Sequence, residues 1–307
     1  MTDTQISEIS SSVRPRTGER NGLRLLVLAG ILWGTGGLTG SLLARSTGLT
    51  SAAVAACRLG VGGLLLVLFV LVSGRAMPKG RAAWTRIVTL GLLAAEFQAS
   101  YFAAVERVSV SLATLLTIGA SPVLVLIAEG VLGRRRTGPR ALATVLLAIT
   151  GLTLLIGVPN GERDLTTLLS GAGFALLAAG GFATMTLVGS RPVKDLDDLA
   201  GTGLAFTLGA VVLAPLAIAG GGQSITATWS GLGLLVLLGV GPTAIAYAAY
   251  FRGLRTSAAG TAALMALLEP LVGTALSVLI LGDRLGMAGT AGAALLVLAL
   301  VVEAKRA

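Results

Sequence analysis

Ten times along its 307 residues, the chain carries an apolar run long enough to cross a lipid bilayer. About 20 residues rising ~1.5 Å each cover roughly 30 Å of hydrocarbon, and in that medium the backbone must satisfy its own hydrogen bonds. The runs lie near residues 23–44, 49–73, 87–106, 109–133, 138–158, 168–190, 198–219, 229–251, 257–281 and 286–303. The connections between them are too short for a separate soluble domain. Composition agrees. Hydrophobic residues make up 54% of the chain and charged ones 12%, with mean hydropathy +0.90, whereas a soluble domain carries roughly a quarter charged residues. The expected fold is an all-α polytopic membrane protein of ten transmembrane helices. The 43 glycines then read as sites of close helix contact.

One run is interrupted. Leu264-Met265-Ala266-Leu267-Leu268-Glu269-Pro270 sets an acid beside a proline near the middle of the ninth span. Proline lacks an N–H, so a carbonyl near Ala266 is expected to be freed at membrane depth, where only protein or a water-filled cavity can satisfy it. A weaker copy of the phrase stands earlier. Ile118-Gly119-Ala120-Ser121-Pro122-Val123 leads to Leu132-Gly133-Arg134, as Leu268-Glu269-Pro270-Leu271 leads to Leu281-Gly282-Asp283. Ala29-Gly30 with Gly36-Gly37 is echoed by Ala172-Gly173 with Gly180-Gly181. The chain therefore reads as two related halves of about 150 residues each, with helix breaks expected at Pro122 and Pro270. The division is a disordered cytoplasmic tail over 1–22, a five-helix repeat over 23–158, a second over 168–303, and a short cytoplasmic end at 304–307. The first run is too long for a signal peptide's apolar region, so no cleaved targeting segment is expected.

The net charge of +9 is a topology signal once mapped. Eighteen Lys and Arg residues lie in the two termini and the even-numbered gaps between spans, against four in the odd-numbered gaps. Both termini are therefore expected to be cytoplasmic. Five spans per half is an odd number, so the second half crosses in the opposite sense to the first. Inverted repeats of this kind hold a substrate near the midplane between halves. No basic face remains for nucleic acid. The chain has no histidine and a single cysteine, Cys57, which removes the usual general base, zinc ligands and disulfide chemistry. No cofactor, metal site or catalytic residue is expected.

Arg58 is the one cation outside the loops, about nine residues into the second span. An arginine so placed costs ~2.5–3.5 kcal/mol on insertion scales, so it should face a cavity or a carboxylate. It reads either as an anchor for an anionic or zwitterionic substrate or as a fixed structural partner of Glu96 or Glu269. Glu96 and Glu269 lie near the middle of the third and ninth spans. A carboxylate there is held between loss of water and attraction to a nearby guanidinium, a balance that suits proton uptake and release. Glu96 reads as a partner of Arg58 or as such a group; Glu269, beside its proline, reads as functional. Glu129 is expected to reach back toward Arg134–Arg136 and pair there. Trp33, Gln98, Tyr101, Thr114, Thr117, Ser121 and Tyr247 fall at similar depth as candidate cavity lining or plain packing, and Tyr250 reads as an interface anchor. Gly34–Gly40 and Gly180-Gly181 read as helix-contact faces, since no strand precedes them and no Lys follows. Gly220-Gly221-Gly222 reads as a loop.

Taken in order, Trp33-Gly34, Ala56-Cys57-Arg58-Leu59, Ser121-Pro122-Val123, Leu132-Gly133, Ala244-Ile245-Ala246-Tyr247, Leu268-Glu269-Pro270 and Leu281-Gly282-Asp283-Arg284 resemble the ten-helix EamA-type exporters of the drug/metabolite transporter superfamily. The resemblance covers the chain after residue 22. It implies a secondary transporter of a bacterial-type cytoplasmic membrane, exporting an amino acid, metabolite or drug-like compound by alternating access through a central cavity. One departure stands out: the family's acid after Leu-Gly is Arg134 in the first half. The expected partners are a small-molecule substrate and the bilayer, with protons and a second copy of the chain left open. An uncoupled facilitator or importer is the alternative within the same class. An intramembrane enzyme or a non-transporting scaffold is the alternative outside it, and the sequence supplies neither a nucleophile–base set nor an output domain.

Overall fold

The computed structural model describes residues 17–133, 138–157, 164–220, 228–282 and 284–306. Among these there is no strand, and ten helices are long and apolar enough to cross a membrane. They are α1 (Thr17–Thr47), α2 (Ser51–Val72), α3 (Gly80–Arg107), α4 (Val110–Val131), α5 (Pro139–Ile156), α6 (Leu165–Gly189), α7 (Asp198–Ala219), α8 (Trp229–Gly253), α9 (Ala259–Ile280) and α10 (Met287–Ala304). Each matches an expected run. The largest departures are at two starts. α1 is helical from Thr17, so residues 17–22 of the expected tail belong to it, and the rest of that tail lies outside the described residues. Its extension is held by contact: a Cβ at Gly22 would stand 3.1 Å from the Gly253 carbonyl oxygen. α3 begins at Gly80, which takes Arg81 and Arg86 into the helix.

Local sequence explains where helices begin and end. Thr50, Ser109 and Thr228 each accept a backbone N–H three residues on, at 3.2, 3.1 and 3.0 Å, and Asp197 accepts from Leu199 and Ala200. The repeated Leu-Gly is a helix stop in both halves. Gly133 and Gly282 take φ of +64° and +74°, a backbone shape that penalises any residue with a Cβ. Leu64, Phe69, Leu146, Val211, Leu237 and Leu279 stand exposed on the outside, as lipid-facing side chains do.

The packing has an internal order. α2 lies along α7 and α5 along α10. α3 packs on α6 as α8 packs on α1, α4 on α6 as α9 on α1, and α3 on α7 as α8 on α2. Exchanging each helix for the one five places away maps this pattern onto itself. The self-paired contacts of α2 with α7 and of α5 with α10 are glycine-to-glycine. A Cβ at Gly63 would lie 2.8 Å from the Gly203 carbonyl oxygen, and one at Gly151 would lie 2.9 Å from that of Gly292. In a bilayer, helices gain little by hiding apolar surface from one another, and close approach through small residues supplies the contact instead. Replacing Gly151 with Leu should lower the stability of the purified protein by about 1–3 kcal/mol, the usual range for overpacking. Thermal unfolding in detergent measures this, with Gly233→Ala, where nothing stands within 4 Å, as the variant expected to melt like the wild type.

Candidate functional site

The ninth span breaks at its proline. Helix runs from Ala259 to Met265 and resumes at Leu268. Pro270 offers no N–H to the Ala266 carbonyl, and the Glu269 N–H takes that place at 3.0 Å in a tighter turn. The expected free carbonyl is thus recaptured within the chain. The break turns Glu269 into the first turn of the resumed helix. α1 lies against it: a Cβ at Gly34 would stand 2.9 Å from the Glu269 carbonyl oxygen. The corresponding break expected at Pro122 is absent, because α4 continues through it from Val110 to Val131. One missing N–H leaves the ladder intact on either side, and Ser121 Oγ donates to the Thr117 carbonyl at 2.6 Å.

α8 deforms at a point not among the expected helix breaks. Gly239–Ile245, containing Pro242, forms a π-helical segment, and Thr243 Oγ1 donates to the Leu238 carbonyl five residues back at 2.8 Å. The signal was Gly239-Val240-Gly241-Pro242, two glycines and a proline inside an apolar run. The segment leads into Tyr247.

These helices enclose a cavity of about 470 Å³. Its mid-span lining includes Trp33, Arg58, Gln98, Tyr101, Ser121, Tyr247 and Glu269, with Thr117 beside them. From there it runs to the end where α1 meets α2 and α3 meets α4, at Ser41, Arg45, Ser51 and Val110. Arg58 is anchored by an amide. With the Gln98 side chain turned to present its oxygen, that oxygen accepts from Arg58 Nε at 3.2 Å and Nη2 at 2.8 Å. Among the described residues no ion pair joins Arg58 to Glu96 or Glu269, so the fixed pair entertained from sequence is not present. A neutral acceptor leaves the guanidinium its charge. That charge reaches Glu269, Tyr101 and Tyr247 electrostatically.

Glu96 does not line the cavity. It sits on the adjoining face of α3, accepts from Ser100 Oγ at 2.9 Å, and points its other oxygen at Gly181 of α6. The phase of the helix explains this: Phe97, Gln98, Tyr101 and Phe102 take the cavity face. Tyr101 shares a hydrogen bond with Thr114 at 2.8 Å, and Thr117 Oγ1 donates to the Ala175 carbonyl at 3.1 Å.

An aromatic floor closes the cavity's deep side. Trp33 meets Tyr247 and Tyr250 with ring centroids 4.9 Å away in both cases, and Phe182 at 5.9 Å. Its indole N–H is buried with no acceptor among the described residues. Phe182 also meets Phe97 and was not singled out from sequence, since a phenylalanine in an apolar span carries no mark of its own. Tyr250 corrects another expectation. It is fully buried and shares a 2.7 Å hydrogen bond with Thr186, because its face of α8 turns to α6. Glu129 is buried beside Gly260, and the Arg134–Arg136 cluster expected to hold it lies outside the described residues, as do Gly221, Gly222 and Asp283. Tyr250→Phe should cost about 1 kcal/mol of stability, one buried hydrogen bond. Among the described residues the Tyr247 hydroxyl shares no hydrogen bond, so Tyr247→Phe should leave the melting temperature unchanged, and comparing the two melts checks the assignment.

Comparison with known proteins agrees with this architecture. A model of the EamA-like transporter family matches residues 20–157 and again 169–303. The chain is 30% identical over 283 residues to the uncharacterized transporter YwfM of Bacillus subtilis, covering 90% of this chain and 91% of that protein. It is 24% identical to the uncharacterized inner membrane transporter YicL of Salmonella typhimurium, covering 86% and 88%. A solved crystal structure aligns with 93% of this chain and 99% of its own at a TM-score of 0.79 and 20% identity, a likeness of fold. The chain belongs to the EamA-like transporter family of the drug/metabolite transporter superfamily.

Proposed function

We propose that this transporter exports a small amphipathic or zwitterionic metabolite across a bacterial-type cytoplasmic membrane, by alternating access between two inverted five-helix halves, 23–158 and 168–303. The observation that carries the reading is the cavity, where at mid-span the Arg58 guanidinium and the Glu269 carboxylate face a shared space without being bonded to each other. Its volume of about 470 Å³ suits a small molecule. Arg58 binds the substrate's anionic group and Glu269 its cationic group. Tyr101, Tyr247 and Ser121 line the body of the site beside the aromatic floor. No bond of the substrate changes, and the cycle needs only binding and release.

The inverted arrangement is supported by the odd number of spans per half and by helix pairings that map onto themselves under exchange of halves. With the positive-inside rule the termini are cytoplasmic, and the cavity then reaches the outer face. The cytoplasmic side is closed by the aromatic floor and by Arg75–Asp197 at 2.9 Å and Arg255–Asp198. This is an outward-facing state. Coupling to protons would make the carrier an antiporter, and a facilitator would share the same site.

Efflux of a mixture of labelled amino acids from proteoliposomes tests the site. A charge-assisted contact contributes ~1.5–3 kcal/mol, so Arg58→Gln or Glu269→Gln should raise the half-saturating concentration roughly ten- to a hundredfold. Unchanged values in both variants would overturn the assignment. Orientation has its own check, in a Cys57→Ser background. Ser41→Cys should react with a membrane-impermeant thiol reagent added outside intact cells, and Lys79→Cys only after the cells are opened.

A further inference from the structure

Glu96 is the one acid at mid-span that the substrate site does not use. Its Oε1 accepts from Ser100 Oγ at 2.9 Å, while Oε2 is buried with no partner among the described residues. Oε2 presses on α6 at Gly181, where any Cβ would collide with it, and even the carboxyl carbon would stand 3.0 Å from such an atom. An ionised carboxylate with one oxygen buried against helix backbone and no donor is costly at this depth. A neutral carboxylic acid there leaves one unpaired O–H and costs far less.

The electrostatic surroundings offer little relief. α3 packs on α2, α4, α6 and α7. α6 has no ionisable side chain from Leu165 to Gly189, α7 has only Asp198 at its start, and α4 has only Glu129 near its end. α2 brings Cys57 and Arg58, and Arg58 is engaged by Gln98 on the cavity face. On α3 itself, Tyr101 is turned to Thr114, and Arg81, Arg86, Glu106 and Arg107 lie toward the ends.

The α3–α6 contact joins one half of the chain to the other. A group buried there meets a different environment whenever the halves move, and such a difference is what links ligand binding to conformation. The equivalent crossing, α8 on α1, has no acid at mid-span. It sets Pro242 of the π-helical segment against Gly36, where a Cβ would lie 3.2 Å from the proline Cβ.

We propose that Glu96 is a proton-binding site distinct from the substrate site, occupied in this conformation and emptied when α6 parts from α3. This inference rests on the transporter reading above. The proton resides on Oε2 as the neutral acid and leaves to water as the carboxylate forms; no other bond changes. Because Phe97 and Gln98 face the cavity and Glu96 does not, proton and substrate do not compete for one group. They communicate through the contact between halves.

Two readouts that need no substrate test this. Infrared difference spectra between wild type and Glu96→Gln in proteoliposomes at neutral pH should contain the C=O stretch of a protonated carboxylic acid. Spin labels at Met77→Cys and Arg252→Cys, in a Cys57→Ser background, report the separation of the halves at the end away from the cavity mouth. Raising the pH should shift the wild-type distances to longer values, and Glu96→Gln, which keeps the shape of the neutral acid and its Ser100 contact, should lose that shift. A carboxylate band at neutral pH, a wild type without a pH-dependent shift, or a Glu96→Gln protein that shifts like the wild type would each overturn the proposal. Failure of wild-type efflux with the labelled amino acids would instead count against the substrate reading and leave these two results standing.

Discussion

Helices in this protein approach one another through positions that carry almost no side chain, and the central cavity depends on that. Water does not drive helices together inside a bilayer, so contact must come from backbone meeting backbone. Gly63 on Gly203 and Gly151 on Gly292 bring the self-paired helices together. With these pairs closed, α2 and the helices beside it meet at mid-span around a space, not around a solid core. Gly34 does the same locally, letting α1 lie on the break in α9 so that Glu269 is fixed where α1, α2 and α9 converge.

The two halves keep a common plan and differ at the points that matter for chemistry. Pro270 breaks its helix, while Pro122 sits in a continuous one. In the first half, α3 carries Glu96 where it crosses α6; in the second, α8 carries a π-helical segment where it crosses α1. A rearranged backbone and an acid thus occupy equivalent crossings. Each half supplies what the other lacks, and neither would form the cavity alone.

Much of this was legible in the chain. A span must be about 20 residues long and apolar, so nothing else could be made of the ten runs, and the Leu-Gly pair at the end of α4 and of α9 marked true helix stops. Arg58 and Glu269 stood out because a charge in an apolar run is expensive anywhere but in a cavity. What a charge would bond to was not legible. Gln98 holds Arg58 in place of a carboxylate, since an amide oxygen can satisfy a guanidinium without cancelling its charge. Glu96 and Gln98 differ by two positions, and at 100° per residue that is enough to send one to α6 and the other to the cavity. Position along the chain makes Tyr250 read as terminal, whereas the face it occupies is set by the packing of α8 on its neighbours.

The aromatic floor also has an optical consequence. The chain contains three tryptophans, and two of them, Trp84 and Trp229, are 50% and 89% exposed on the outside of the helix bundle. Trp33 is 5% exposed, wedged among Tyr247, Tyr250 and Phe182, with its indole N–H turned to no acceptor. Its emission therefore belongs to the cavity, and that of the other two to the lipid. With Trp84 and Trp229 replaced by Phe, the protein would carry a single tryptophan in the wall of its cavity, and excitation selective for indole would follow occupancy of that cavity as a change in light without attaching a label.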